Sequence, residues 1–203
     1  MSTLRLLQFC ILSFSIFLAG CVSTLNYNET YVGNPAPVGL GTLSGKAALL
    51  MRSGDDAFVF SGNPTRFTGA ATSLSIPFGL VIKDVALKSL KNSFSDGADF
   101  ISDIPEANDY TMIMEPKYGG FSYAYNSAKT LGFAITIQAE LNLMVSFYDK
   151  EGSLLKQETY STGLRDGETY AMSMQPAEKV NRLAHELTAE LVARAIRDAE
   201  TLK

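Results

Sequence analysis

FAITIQAELNLMVSF, residues 133–147, is the stretch on which the fold turns. Its odd positions are all apolar (Phe133, Ile135, Ile137, Ala139, Leu141, Leu143, Val145, Phe147), and its even positions include Thr136, Gln138, Glu140, Asn142 and Ser146. Successive side chains of an extended chain leave opposite sides of the backbone, so a period of two marks a long β-strand with one dry face. Something else in the chain has to cover that face.

Working outward, the run from Tyr110 to Asn126 has a similar length, and SAKTL (127–131) reads as the loop between the two. Pairing them antiparallel with Tyr110 opposite Tyr148 sets Phe121, Tyr123 and Tyr125 opposite Ile137, Ile135 and Phe133. Pro116 and the Gly119-Gly120 pair then mark a bulge or bend, because proline donates nothing to a ladder and glycine relaxes its twist. DKEG (149–152) turns the chain into a third strand, from Leu154 to about Thr162, which completes a β-meander.

Two amphipathic helices flank this sheet. PAEKVNRLAHELTAELVARAIRDAETLK (176–203) starts on Pro176, with Glu178 at the favourable end of the helix dipole, and Val180, Leu183, Ala184, Leu187, Leu191 and Ala195 form its apolar stripe. In IPFGLVIKDVALKSLKNSF (76–94), Phe78, Ile82, Ala86, Leu90 and Phe94 fall on one ridge with Val85 beside it, and Lys83, Asp84, Lys88 and Lys91 turn outward. Ahead of that helix, KAALLM (46–51) and AFVFSG (57–62) flank the turn-like RSGDD and read as a short hairpin, with RFTG (66–69) as an edge piece after Asn63-Pro64. SDGADFISDIPEAND (95–109) reads as an acidic connector. The expected class is α+β: an antiparallel meander with two amphipathic helices packed on one face, preceded by a short hairpin.

Residues 22–45, VSTLNYNETYVGNPAPVGLGTLSG, are rich in Gly, Pro, Asn, Ser and Thr, and their apolar residues follow no period. The stretch reads as a flexible tether whose 24 residues reach up to about 80 Å when extended. Gly39, Gly41 and Gly45 fit neither the dinucleotide fingerprint nor the Walker spacing.

The N-terminus carries an address. Arg5 precedes an apolar run of 12 residues, LLQFCILSFSIF (6–17), which as a helix rises only about 18 Å, too little to cross a hydrocarbon core of about 30 Å. It reads as a signal peptide, residues 1–20. The four residues that follow, Leu18, Ala19, Gly20 and Cys21, resemble the lipobox of bacterial lipoproteins. The resemblance implies a diacylglyceryl group on the Cys21 sulfur, cleavage before Cys21, and acylation of the new amine by a chain such as palmitate. An anchor with two or three chains is the kind that stays in a membrane. Val22 and Ser23 lack the aspartate that holds such proteins at the inner membrane of enteric-type bacteria, so the implied address is the outer membrane, facing the periplasm. The domains expected are thus 1–20 signal peptide, 21–45 lipidated cysteine and tether, and 46–203 one periplasmic domain.

With Cys10 removed and Cys21 acylated, the mature chain keeps no free thiol and gains no disulfide, so packing has to hold it. Removing Arg5 from 17 basic residues leaves 16 against 21 acidic, which disfavours nucleic acid as a partner. The order of lipobox, tether, helix, a strand opening on Asp109-Tyr110, two more strands joined by Asp149-Lys150-Glu151-Gly152, and a closing helix resembles small periplasmic lipoproteins. Those include accessory lipoproteins of lipid and polysaccharide transport and, more distantly, the curli-secretion-channel class.

Marks of catalysis are few. His185 is the one histidine in the chain, and it has no nucleophile at a recognisable spacing and no G-x-S-x-G elbow. Zinc normally wants several His or Cys ligands. Asp96, Asp99, Asp103, Glu106 and Asp109 could offer oxygens to calcium but miss the EF-hand pattern. Tyr118, Phe121, Tyr123 and Tyr125, with Tyr110, Met112 and Met114 upstream, are either the core of a curved sheet or an exposed aromatic platform. No enzyme activity, cofactor or metal is expected. The expected function is a non-catalytic accessory or binding component in envelope assembly or transport, held to the membrane by acyl chains on Cys21 and working with an envelope protein partner. The alternative is a subunit of an oligomeric outer-membrane secretion or pore complex in which neighbouring chains combine their sheets, since a strand of this length exceeds the 9 to 11 residues a bilayer crossing needs.

Overall fold

Alternation in residues 135–148 does produce a long strand, and the rest of the domain is arranged around it. The computed structural model describes residues 22–31, 43–66, 73–106, 109–127, 130–132, 134–171 and 176–202. In chain order its elements are β1 (Val22–Thr24), β2 (Lys46–Leu50), β3 (Phe60–Gly62), β4 (Ser73–Ile76), α1 (Phe78–Ser93), β5 (Ala98–Ile101), β6 (Tyr110–Asn126), β7 (Ile135–Tyr148), β8 (Leu154–Ser161), β9 (Arg165–Tyr170) and α2 (Pro176–Ala199). The larger sheet has the order β5-β2-β6-β7-β8, with β9 also on β7; a smaller sheet has the order β1-β4-β3. The class is α+β.

The odd residues of β7 from Ile137 to Phe147 are fully buried. Helix α2 lies over β7, β8 and β9, helix α1 lies over β2, β5 and β6, and the helices pack on each other, so both cover one face of the sheet. The expected stripes are the ones used: Phe78, Ile82, Val85, Ala86 and Leu90 on α1, and Val180, Leu183, Ala184, Leu187, Leu191 and Ala195 on α2, all join the main core. On the other face a small apolar cluster forms from Ala48, Leu50 and Ile113, with Ile101, Ile104, Tyr110 and Tyr148 packed against it.

Several expectations are corrected. KAALLM and AFVFSG do not pair with each other. β2 is an interior strand, parallel to both β5 and β6, and β3 pairs antiparallel with β4. The reason is legible afterwards: Ala47 and Leu49 face the helices while Ala48 and Leu50 face the second cluster, and a strand buried on both sides shows an unbroken apolar run without alternation. The acidic connector hides β5, which pairs with β2 from Ala98 to Ile101.

The β6–β7 register also differs. Ile113, not Tyr110, stands opposite Tyr148, and Phe121, Tyr123 and Tyr125 face Leu141, Ala139 and Ile137. Pairing stops at Asn126 opposite Thr136, so the connection is longer than SAKTL; Leu131 and Gly132 turn within it at φ 52° and 86°. Phe133, expected to open the strand, lies outside the described residues. The bulge does fall at the glycines, between Tyr118 and Gly120, with Gly120 at φ 149°, whereas Pro116 stays in register opposite Val145.

β8 runs antiparallel to β7, and β9 continues along the same edge of β7 after a break at residues 162–164. Thr162 closes the break: its Oγ1 accepts from the Leu141 amide at 3.0 Å, and its own amide donates to the Leu141 carbonyl at 3.0 Å.

The last correction concerns residues 22–31, expected as part of the tether. They lie on the domain instead, with β1 parallel to β4 and the Leu25 amide donating to the Ser75 carbonyl at 2.9 Å. Leu25 and Tyr27 explain it, since both have apolar surface that packs against the core.

Candidate functional site

Cys21, the expected acylation site, lies outside the described residues, and Val22, the residue after it, opens β1. What sits beside it is a strap, residues 22–31, that crosses from the small sheet onto α2. After β1, the Asn26 carbonyl accepts from Asn181 Nδ2 at 2.9 Å. Residues 28–31 then tighten into a turn in which Asn28 Oδ1 accepts from the Thr30 amide at 3.0 Å and from Thr30 Oγ1 at 2.7 Å. This is a turn that asparagine makes readily with its own backbone.

The strap ends in two tyrosines that enclose His185. Tyr27 stacks on the imidazole with centroids 5.8 Å apart, and Tyr31 meets it edge-on at 5.2 Å. Tyr31 Oη donates to Glu178 Oε1 at 2.9 Å, and the Arg182 guanidinium lies 5.3 Å from the Tyr31 ring. Burial and a hydrogen bond to Asp84 push the Tyr27 phenol well above its ordinary range. Beneath the rings His185 is only 1% exposed. Its Nδ1 lies 2.8 Å from the Asn181 carbonyl and donates to it, so Nε2 carries the lone pair, and Nε2 has no hydrogen-bond partner. Burial lowers the imidazole's pKa, against the hydrogen bond to Asn181 and the charge of Asp84, which raise it.

A second polar cluster lies across the sheet. Glu115 on β6 is 2% exposed, yet Tyr148 Oη donates to it at 2.6 Å, Arg52 Nε at 2.8 Å and Lys117 Nζ approaches to 3.1 Å. Burial pushes this carboxyl up, but the hydrogen bonds from Tyr148, Lys117 and Arg52 outweigh it and hold the group below its usual value. A cleft of about 230 Å³ opens between the 51–58 segment, α1 and β6, lined in part by Asp55, Lys117 and the rings of Phe58 and Tyr118, which pack on each other with centroids 4.5 Å apart.

The other residues singled out from the sequence are scattered. Asp99 is held by Lys46 at 2.6 Å and by Tyr110 Oη at 3.1 Å, and Asp96 accepts from Ser95 Oγ at 3.2 Å. No group of three or more metal-ligating side chains gathers among the described residues. Phe121, Tyr123 and Tyr125 are buried, ring against ring, and Tyr118 packs on Phe78, so these aromatics are core. Sequence reasoning missed the Glu115 cluster and the strap. The signal for the strap was the i, i+2, i+6 placing of Leu25, Tyr27 and Tyr31 in a polar stretch.

No protein-family model matches this chain, and no curated protein matches it. Among solved structures it is similar to an uncharacterized protein (TM-score 0.40, 11% identity, covering 89% of this chain and 99% of the other). It is also similar to PelC from Paraburkholderia phytofirmans, solved as a dodecamer (TM-score 0.37, 11% identity, 78% and 90% covered). A third is a minor lipoprotein from Acinetobacter baumannii (TM-score 0.36, 12% identity, 76% and 94% covered).

Proposed function

We propose that this protein is an outer-membrane lipoprotein, acylated on Cys21, whose domain acts as a non-catalytic accessory or binding component in cell-envelope assembly or transport. The observation that carries the reading is the N-terminal order of Arg5, a 12-residue apolar run and Leu18-Ala19-Gly20-Cys21. The 12-residue apolar run before Cys21 is too short to span a hydrocarbon core of about 30 Å, and two or three acyl chains on Cys21 are an anchor of the kind that stays in a membrane. Val22 and Ser23 carry no inner-membrane retention signal, which favours the outer membrane, facing the periplasm.

The binding role rests on chemistry around the domain. His185 is enclosed by Tyr27 and Tyr31, Asp99 is held by Lys46 and Tyr110, and Asp96 by Ser95, an arrangement that suits recognition of an envelope protein better than catalysis. A pore walled by neighbouring copies of β6 and β7 fits poorly: one face of these strands is under the helices, and the other carries Glu115, Thr136, Gln138 and Ser146, unsuited to hydrocarbon.

The test is Cys21→Ser in intact cells. The wild type is expected to carry acyl chains by mass and to fractionate with the outer membrane, and the variant to lose both properties. A variant that still fractionates wholly with the outer membrane overturns the anchor. Cross-linking the wild type and identifying its companions by mass then tests the role: one defined assembly or transport protein supports it, and copies of itself alone shift the reading to an oligomeric complex.

A further inference from the structure

Two buried polar atoms among the described residues have no hydrogen-bond partner, Asn181 Oδ1 and His185 Nε2, and both belong to residues at the junction of α2 with the strap. An orphaned buried acceptor costs free energy and calls for a physical explanation. Here the covering layer is thin. The strap is held by three residues of β pairing, by the packing of Leu25 and Tyr27 on the core, by the Tyr27 hydrogen bond to Asp84, by Asn181 Nδ2 on the Asn26 carbonyl, and by the Tyr31 contacts to Glu178 and Arg182 at the exposed surface.

We propose that the strap is an acid-released latch: residues 22–31 stay docked while His185 is neutral, and lift off α2 when Nε2 takes up a proton. The neutral ring suits its site, because Nδ1 donates to the Asn181 carbonyl and Nε2 needs no donor under an aromatic cover. The protonated ring does not, because it brings a charge and a new N–H into a place with 1% exposure. Water reaches it most easily if the two tyrosines leave, since everything else around it is helix-on-helix packing and core.

The charged and titratable groups nearby divide in their effect. Asp84, on α1, favours the protonated ring, but its carboxylate also takes the Tyr27 hydroxyl and lies 2.8 Å from Lys88 Nζ. Tyr27, Glu29 and Tyr31 come from the strap itself, and Glu178 and Arg182 on α2 engage Tyr31 at its outer edge. The sign follows from linkage. The docked state binds the proton less readily than the open state, so docking is at full strength above the ordinary imidazole value of 6.5 and weakens as pH falls below it.

The consequence for reach rests on acylation of Cys21, while the latch does not. With the strap docked, Val22 is already on the domain and the domain rides against its anchor. With it lifted, residues 22–42 extend up to about 70 Å.

Hydrogen exchange of the full-length protein in detergent micelles, read by mass from pH 8 to 5.5 with β7 peptides as internal reference, tests the latch. Protection of residues 22–31 relative to β7 is expected to drop by up to about tenfold at pH 5.5, the limit for one proton on a group of ordinary pKa about 6.5. His185→Phe keeps a ring under the tyrosines and removes the titration, so its strap is expected to change less than twofold over the same range. Wild-type protection that is flat with pH, or that rises in acid because the tyrosine rings hold the imidazolium, overturns the proposal without recourse to any variant. A strap that opens in acid in a protein shown to lack acyl chains on Cys21 keeps the latch and removes only its link to the membrane.

Discussion

The β6–β7 ladder and the N-terminal strap are both made of strand pairing and aromatic rings, and they differ in what lies underneath. The ladder runs from Ile113 opposite Tyr148 to Asn126 opposite Thr136, and its inner face is buried under two helices. β1 has three residues, and the strap ends over a histidine with a bare acceptor nitrogen. Burial of apolar area stabilises the ladder, and every inward residue adds to it. The strap adds only Leu25 and Tyr27, both partly buried, to that core, and its remaining contacts are polar or at the surface, where each contributes little. One region therefore sets whether the chain folds, and the other is free to respond to conditions without unfolding it.

Breaking the ladder should have the largest effect. Phe147→Ala, which empties a fully buried ring position, is expected to destabilise the domain by about 3 to 5 kcal/mol, read as a shift in the urea midpoint. Next comes Glu115→Ala, expected to cost about 2 kcal/mol, since it strips Tyr148, Arg52 and Lys117 of their shared acceptor while the two cations remain partly hydrated. Because the folded carboxyl titrates below its ordinary value of 4.5, the stability it supplies is present above that value and is lost as pH falls through the folded one. A pH series of urea midpoints in wild type and variant should converge in acid. Gly120→Ala is expected to cost about 1 kcal/mol by the same assay, because φ 149° is a conformation that side chains resist. Tyr27→Ala is expected to move the midpoint least, by under about 0.5 kcal/mol, while raising exchange of residues 22–31 severalfold. A midpoint shift as large as that of Phe147→Ala would erase the distinction between the two regions.

Alternation and helical stripes made the centre of the fold legible: β6, β7, the bulge at Gly119-Gly120 and both helix faces could all be read from residue periods. β2 and β5 could not, for opposite reasons. KAALL is buried on both sides and so has no period, and ADFI gets its strand character from β2 alongside it, not from its own composition. The register differs because loop length is not written in a period of two. Beyond the bulge Phe121 moves four residues, from Ile137 to Leu141, and an even shift keeps every side chain on its face; before it the shift is three, the bulge supplying the odd residue. The strap was hidden by composition, since Gly, Pro and Asn around it suggested a tether while Leu25, Tyr27 and Tyr31 carried the docking. Glu115 drew no reading from the sequence, because Arg52, Lys117 and Tyr148 come together around it only after β2, β6 and β7 pair.

The break between β8 and β9 has a bearing on solubility. Had the chain run on in one register along β7, its outer edge would offer an unbroken row of open amides and carbonyls, a template on which another chain could add a strand. Gly163 at φ 61° interrupts that row, Lys156 and Glu158 charge one half of it, and Arg165, Asp166 and Glu168 charge the other. At the opposite margin β5 is four residues long. Margins that are short, interrupted and charged in this way resist edge-to-edge addition of a strand from another chain.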